Sequence, residues 1–142
     1  MARCEAFPAA EILLFAGNAA EEIPALSDMD IIVTVHDRRS LQAVLGLDPP
    51  RPFFLKVDSG LSRYGLDEAE WRNALVAIRE SRHLGPSGIY THFGQGQRDA
   101  VLHATARFDR YIEQARALLA RPFVTMASAS RTLLDHPELP YD

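Results

Sequence analysis

Two apolar segments of the chain end in polar side chains of the kinds that bind ligands or exchange protons. These residues are Lys56, Asp58 and Arg63 at the end of the first segment, and Thr91 and His92 at the end of the second. A guanidinium stays charged and offers several fixed donors to a carboxylate or phosphate. Lysine, aspartate and histidine side chains can transfer protons. Charged residues just after a buried-type strand therefore indicate ligand binding or catalysis.

Each segment taken alone also has a structural interpretation. Lys56 and Asp58 would then form a structural ion pair, and His92 would be a core histidine with satisfied hydrogen bonds. The two segments together favour a site, because the carboxyl ends of parallel strands meet at one edge of a sheet or barrel, where ligands bind.

The rest of the sequence predicts strands and helices in alternation. The predicted strands contain Ile12–Phe15, Ile31–Val35, Phe53–Val57, Ile89 and Phe123–Met126. Strand–helix alternation implies parallel pairing through right-handed crossovers. The sequence thus predicts an α/β sheet that collects its polar residues at one rim.

Local signals mark where the predicted helices begin. Asp37 can cap the helix after the second strand, and Asp67 with Glu70 forms a variant of the capping box for the next helix. A third capping box is predicted at Asn18–Glu21, where Pro24 is expected to disturb the helix beyond its first turn.

The strings LKVDSGLSRYG at 55–65 and GIYTHFG at 88–94 resemble the fifth and sixth barrel strands of the alanine racemase family, which are fold-type III pyridoxal-phosphate enzymes. The resemblance runs from about Glu11 to Asp142. It implies an incomplete TIM (β/α)8-type barrel with about five parallel strand–helix units, matching the third to seventh strands. A complete barrel takes about 250 residues, against 142 here. Residues 1–142 are therefore expected to be a partial alanine racemase N-terminal-like barrel domain that binds pyridoxal phosphate, without the family's C-terminal β domain.

The resemblance assigns supporting roles to several residues. Arg63 matches the arginine that reaches the phenolic oxygen of the cofactor, and Lys56, with Asp58 beside it, matches a lysine, carbamylated in many members, that orients this arginine. His92 matches the sixth-strand histidine that supports the site beside the arginine contacting the pyridine nitrogen, and Tyr90 is a weaker candidate for the same layer. The family's phosphate-binding Ala-Asn-Ser-Ala turn reads Ala127–Ser130 here, so Ser128 or Ser130 would take the phosphate, or else serve as a plain helix cap.

The same resemblance leaves no catalytic residue in this chain. The family's Schiff-base lysine lies on the first barrel strand, and the acid/base tyrosine belongs to the C-terminal domain. Lys56 is the only lysine in the sequence, and a neighbouring cation and crowding are expected to disfavour reaction of its amine with the cofactor aldehyde. Pyridoxal phosphate is therefore expected to bind weakly or not at all.

Composition excludes several other classes of protein. The net charge of −4 and pI of about 5.7 argue against a nucleic-acid binder, and a single cysteine excludes an internal disulfide framework. The apolar run at Ile12–Phe15 is too short to span a membrane, so a cytoplasmic protein is expected. The other histidines have no second ligand at metal spacing, so no metal site is predicted.

The resemblance implies a racemase that interconverts L- and D-alanine, a cell-wall precursor, in a homodimer. Its substrate would be a small-molecule amino acid whose α-proton is removed while the cofactor acts as electron sink. Two alternatives remain: a non-catalytic remnant or binding module, and a related fold-type III enzyme such as a broad-specificity amino-acid racemase or D-threonine aldolase.

Overall fold

The fold is given by a computed structural model that describes residues 10–81, 85–94, 97–119, 121–127 and 130–135. Its five strands are β1 (Ile12–Leu13), β2 (Ile31–Val35), β3 (Phe53–Lys56), β4 (Gly88–Thr91) and β5 (Val124–Ala127). They form one sheet in the order β1-β2-β3-β4-β5, and every neighbouring pair is parallel. The sheet is half of a (β/α)8 barrel, which confirms the predicted architecture.

The helices connect successive strands, as parallel pairing requires. They are α1 (Ile23–Asp28), which follows a 3₁₀ turn at Ala20–Glu22, α2 (Arg38–Leu45), α3 (Glu68–Glu80), α4 (Arg98–Leu118) and α5 (Ser130–Asp135). Within the described residues, no helix combines the length and the apolar composition needed to cross a bilayer.

Alternation along the strands separates two apolar clusters. Val33, Leu55 and Ile89 belong to the larger cluster, which also contains helix residues such as Trp71 and Phe108. The intervening residues Ile32, Phe54 and Tyr90 form a second cluster on the opposite face of the sheet, called the inner face here. Full burial of one aliphatic or aromatic side chain contributes about 1.5–3 kcal/mol, so the larger cluster supplies most of the apolar stabilisation.

The inner face is shaped by a pairing of unequal side chains. Gly88 lies opposite Phe54 in the register of β3 and β4. A Cβ atom on Gly88 would lie 2.1 Å from Cε1 of the Phe54 ring. The absence of a side chain at 88 therefore lets this ring lie across β4.

Two of the predicted helix caps are present. The Asp37 carboxylate accepts a hydrogen bond from the Ser40 N–H at 2.7 Å at the start of α2. At the start of α3, one Asp67 oxygen accepts from the Ala69 and Glu70 N–H groups, and the Asp67 N–H donates to the Glu70 carboxylate. These aspartates satisfy donors that the helix itself leaves without partners.

The predicted cap at Asn18 is wrong by one residue. The Ala19 N–H donates to the Glu22 carboxylate at 2.8 Å. Alanine has no side-chain acceptor, so only one of the two bonds of a capping box forms here. Asn18 is buried, and neither polar atom of its amide has a partner among the described residues. Pro24 lies in the first turn of α1, where its missing N–H is no loss, and the helix continues to Asp28.

Candidate functional site

A cavity of about 570 Å³ opens at the carboxyl ends of the strands. It is lined by Phe15, Ala16, Lys56, Arg63, Tyr64, Tyr90, Thr91, His92, Met126 and Ala127. The structure therefore brings Lys56, Arg63 and His92 together at one rim, as the strand ends predicted. Asp58 does not line the cavity and lies in the loop beside it.

Lys56 points to the inner face from the last position of β3. Its side chain is buried, and Nζ lies 5.4 Å from the centroid of the Tyr90 ring. Burial lowers the pKa of Lys56, and the positive charge of Arg63 lowers it further, while Asp58 raises it in part. No described carboxylate forms an ion pair with Lys56, so the alternative of a Lys56–Asp58 ion pair is wrong.

Asp58 instead builds the loop that carries Arg63. Its Oδ1 atom accepts hydrogen bonds from the Gly60 N–H at 2.9 Å and the Ser62 N–H at 3.0 Å. These bonds fold the loop tightly after β3, because the carboxylate takes the place of a backbone acceptor in the turn.

Backbone hydrogen bonds close the same loop onto the end of the strand. The Leu66 N–H donates to the Lys56 carbonyl at 2.9 Å, and the Asp58 N–H donates to the Leu66 carbonyl at 3.0 Å. Gly65 has φ of +128°, and a Cβ there would lie 2.7 Å from the Val57 carbonyl carbon. The closed loop places Arg63 and Tyr64 over the cavity.

Tyr90 is held by hydrogen bonds with a definite direction. Thr34 Oγ1 donates to the Leu14 carbonyl at 2.8 Å, so the Tyr90 hydroxyl must donate to Thr34 across 3.2 Å. The Ala16 N–H donates to the Tyr90 oxygen at 3.0 Å. Burial raises the pKa of Tyr90, and these two hydrogen bonds oppose that effect in part. Tyr90 therefore presents its ring, rather than a free hydroxyl, to the cavity.

A second pair of hydroxyls links the loop after β3 to β4. Thr91 Oγ1 donates to the Val57 carbonyl at 2.9 Å, so Ser59 donates to Thr91 across 2.8 Å. Both side chains are buried. This link fixes the strand end that presents His92, which is partly buried and lines the cavity.

Several residues of the site were not assigned from the sequence. Phe15 lines the cavity with its ring centroid 5.3 Å from that of Tyr90, and Thr34 anchors the Tyr90 hydroxyl. Tyr64 lines the rim next to Arg63, with the ring of His36 edge-on at 5.6 Å. Thr34 could have been found as the polar residue of the aliphatic strand Ile31–Val35.

The chemistry of this cavity favours an anionic ligand with an apolar body. Lys56 and Arg63 are the cationic groups in its lining, and Phe15, Tyr90 and Met126 supply apolar surface. Pairing with a guanidinium suits a carboxylate, phenolate or phosphate.

Comparison with known proteins identifies the family. A model of the family described as "Alanine racemase, N-terminal domain" matches residues 2–142. The chain belongs to this family.

Individual alanine racemases show the same relationship. The chain is 30% identical over 135 residues to alanine racemase of Methanococcus maripaludis, covering 89% of this chain and 36% of that protein. The solved alanine racemase of Corynebacterium glutamicum superposes with a TM-score of 0.79 at 25% identity, over 93% of this chain and 38% of that one. The E. faecalis alanine racemase structure gives a TM-score of 0.76 at 27% identity, over 96% and 38% of the two chains. The chain thus spans a little over a third of these racemases.

Two residues expected at the phosphate lie at the limit of what the structure describes. Ser128 is outside the described residues, and Ser130 is the first residue of α5, with its side chain outside them. Their racemase-like role stays a prediction. Within the described residues, no group of three or more His, Cys, Asp or Glu side chains could hold a metal ion.

Proposed function

We propose that this chain forms the cofactor-supporting half of the barrel of a pyridoxal-phosphate-dependent alanine racemase. The observation that carries the proposal is that Lys56, Arg63, Tyr90 and His92 line a single cavity at the carboxyl ends of parallel strands. The curated relatives named above are alanine racemases, which favours alanine as substrate over the substrates of other fold-type III enzymes. Homodimer assembly, a cytoplasmic location and a role in supplying D-alanine belong to the same proposal.

The cavity fits the cofactor in size and in chemistry. Its volume of about 570 Å³ lies within the range of about 300–1,000 Å³ typical of small-molecule sites. Arg63 is charged and carried on a closed loop, so it can donate to the phenolic oxygen of the cofactor. When bound, pyridoxal phosphate supplies the electron sink for removal of an amino acid's α-proton.

The other residues of the site would hold Arg63 and the cofactor in position. Lys56 lies next to Arg63 beneath the rim, where conversion to a carbamate would replace repulsion between two cations by attraction. Asp58 shapes the loop, and the ring of Tyr90 forms the floor below Lys56. His92 lies on the wall beside them, and Ser128 and Ser130 follow β5, where they would hold the phosphate.

The experiment is a pair of assays on the purified 142-residue chain. We expect no racemisation of alanine, because Lys56 supports Arg63 and no catalytic lysine or tyrosine is assigned in the chain. We expect weak binding of pyridoxal phosphate, measured by equilibrium dialysis. Arg63→Ala should weaken it about tenfold or more, since hydrogen bonds to charged groups contribute about 1.5–3 kcal/mol.

Arg79→Ala on the exposed side of α3 is the matched control, because it removes the same charge far from the rim. Equal loss of binding in both variants would mean that Arg63 attracts the cofactor only through net charge. Racemisation that disappears with Arg63→Ala would refute the assignment of a purely supporting role.

One observation favours a second candidate, a binding module without catalysis. The Tyr90 hydroxyl is committed to Thr34 and to Ala16, so this wall offers no phenolic acid or base to a ligand. The test uses a longer protein in which this chain is extended to the full racemase length. Binding of pyridoxal phosphate by that protein, with no racemisation of alanine, would support this candidate.

A further inference from the structure

The Lys56 amine has an unusual set of surroundings for a lysine. It is the only lysine of the chain, the residue is 5% exposed, and it lines the 570 Å³ cavity. Its Nζ lies over the Tyr90 ring, and no described carboxylate pairs with it. The amine is thus buried from bulk solvent and open to a cavity large enough for a small molecule.

Such an amine is nucleophilic when it carries no proton. Burial, with the Arg63 charge added, lowers the pKa of Lys56, and Asp58 opposes this only in part. Lysines activated for attack on carbonyl compounds are desolvated or placed beside another cation in the same way. The neighbouring cation therefore acts in the direction opposite to the expectation drawn from the sequence, because it favours the neutral, reactive form.

The groups around the amine select the kind of carbonyl compound. Arg63 lines the same cavity, keeps its charge and can pair with a carboxylate or phosphate. His92 lines the same cavity, and Asp58 directs one carboxylate oxygen to the N–H groups of its own loop. The Tyr90 hydroxyl is hydrogen-bonded to the backbone of Ala16 and to Thr34.

We propose that Lys56 is a carbonyl-reactive amine that forms reversible imines with small aldehydes and keto acids carrying an anionic group. The Nζ lone pair attacks the carbonyl carbon and forms the C–N bond. The carbonyl oxygen then leaves as water with the two protons of the amine, which leaves a C=N bond. No oxidant or reductant is consumed, and water reverses the reaction.

The test uses glyoxylate as the anionic probe and acetaldehyde as the neutral one, with cyanoborohydride to trap imines and peptide mass mapping to locate them. Buffers are freed of carbon dioxide so that the amine is not held as a carbamate. Arg79→Lys places an exposed reference lysine on α3 of the same molecule. Lys56→Met removes the amine and keeps an apolar chain of similar length, and its thermal unfolding shows whether it folds.

At pH 7 we expect glyoxylate to label Lys56 faster than the lysine introduced at 79, because the lowered pKa of Lys56 leaves a larger fraction of its amine neutral. The ratio of the two rates should fall as the pH approaches 10, where the exposed amine also loses its proton. Arg63→Gln should abolish the preference of Lys56 for glyoxylate over acetaldehyde. In a Lys56→Met, Arg79→Lys protein, label at 79 should persist.

Two results would overturn the proposal. One is labelling of Lys56 at pH 7 no faster than that of the exposed reference lysine. The other is a preference for glyoxylate that survives Arg63→Gln. Neither result bears on support of pyridoxal phosphate, because dialysis without a trapping reagent measures that binding separately.

Discussion

Replacing Gly65 by alanine tests how the loop that carries Arg63 is held against β3. The residue has φ of +128°, and an added Cβ would lie 2.7 Å from the carbonyl carbon of Val57 and 2.8 Å from the nitrogen of Asp58. Both atoms belong to backbone that cannot easily move, because Val57 and Asp58 donate hydrogen bonds to Tyr90 and Leu66.

The expected loss in free energy of unfolding for Gly65→Ala follows from comparison with Gly60 in the same loop. Gly60 has φ of +134°, but a Cβ there would meet nothing within 4 Å. Gly60→Ala should therefore cost only the backbone strain, about 1–3 kcal/mol. Gly65→Ala should cost the same strain and, in addition, about 1–3 kcal/mol for the steric overlap. The difference between the two variants isolates the close approach of the loop to the strand.

The assay is urea unfolding followed by circular dichroism, with equal m-values required before the free energies of unfolding are compared. A loss in Gly65→Ala no larger than in Gly60→Ala would refute the inference that the loop is closed tightly onto β3.

Two further predictions use the hydrogen bonds and charges of the cavity wall. Tyr90→Phe should destabilise the protein by about 1–3 kcal/mol, because the Ala16 N–H loses its acceptor, whereas Tyr64→Phe at the exposed rim should stay within about 0.5 kcal/mol; equal effects in urea unfolding would contradict this. Lys56→Met should stabilise the protein at pH 7, since the pKa of Lys56 in the folded state lies below its usual 10.5. The wild-type penalty is complete below the folded pKa and disappears as the pH rises towards 10.5, so the gain should shrink over that window, and a gain that does not change with pH would argue against it.

Elements of the fold could be predicted where the signal is local. The β-branched run Ile31–Val35 and the caps at Asp37 and Asp67 are properties of a few adjacent residues, and the structure contains each of them. At Asn18, the predicted capping box does not form, and the amide has no partner among the described residues. The Glu22 carboxylate accepts from the Ala19 N–H instead, so the helix start lies one residue later.

The part of the candidate site that lies at the strand ends could be predicted from the sequence. Lys56, Arg63 and His92 meet because parallel strands share one rim, which alternation and motif order reveal. The sequence could not show that Lys56 and Asp58 do not form an ion pair, because Asp58 instead accepts hydrogen bonds from the backbone of its own loop. Phe15 and Tyr64 were missed for a related reason, since each enters the cavity through contacts with residues distant along the chain.

The direction of the two hydroxyl pairs has a consequence for any reaction in this cavity. Tyr90 donates to Thr34 and Ser59 donates to Thr91, and in both pairs the last proton is given to a main-chain carbonyl, of Leu14 or of Val57. A carbonyl oxygen has no proton to pass on, so neither pair can relay protons from bulk water to a ligand. These two hydroxyl pairs therefore do not conduct protons between solvent and the cavity. Protons lost or gained by a bound molecule have to move through another part of the cavity lining.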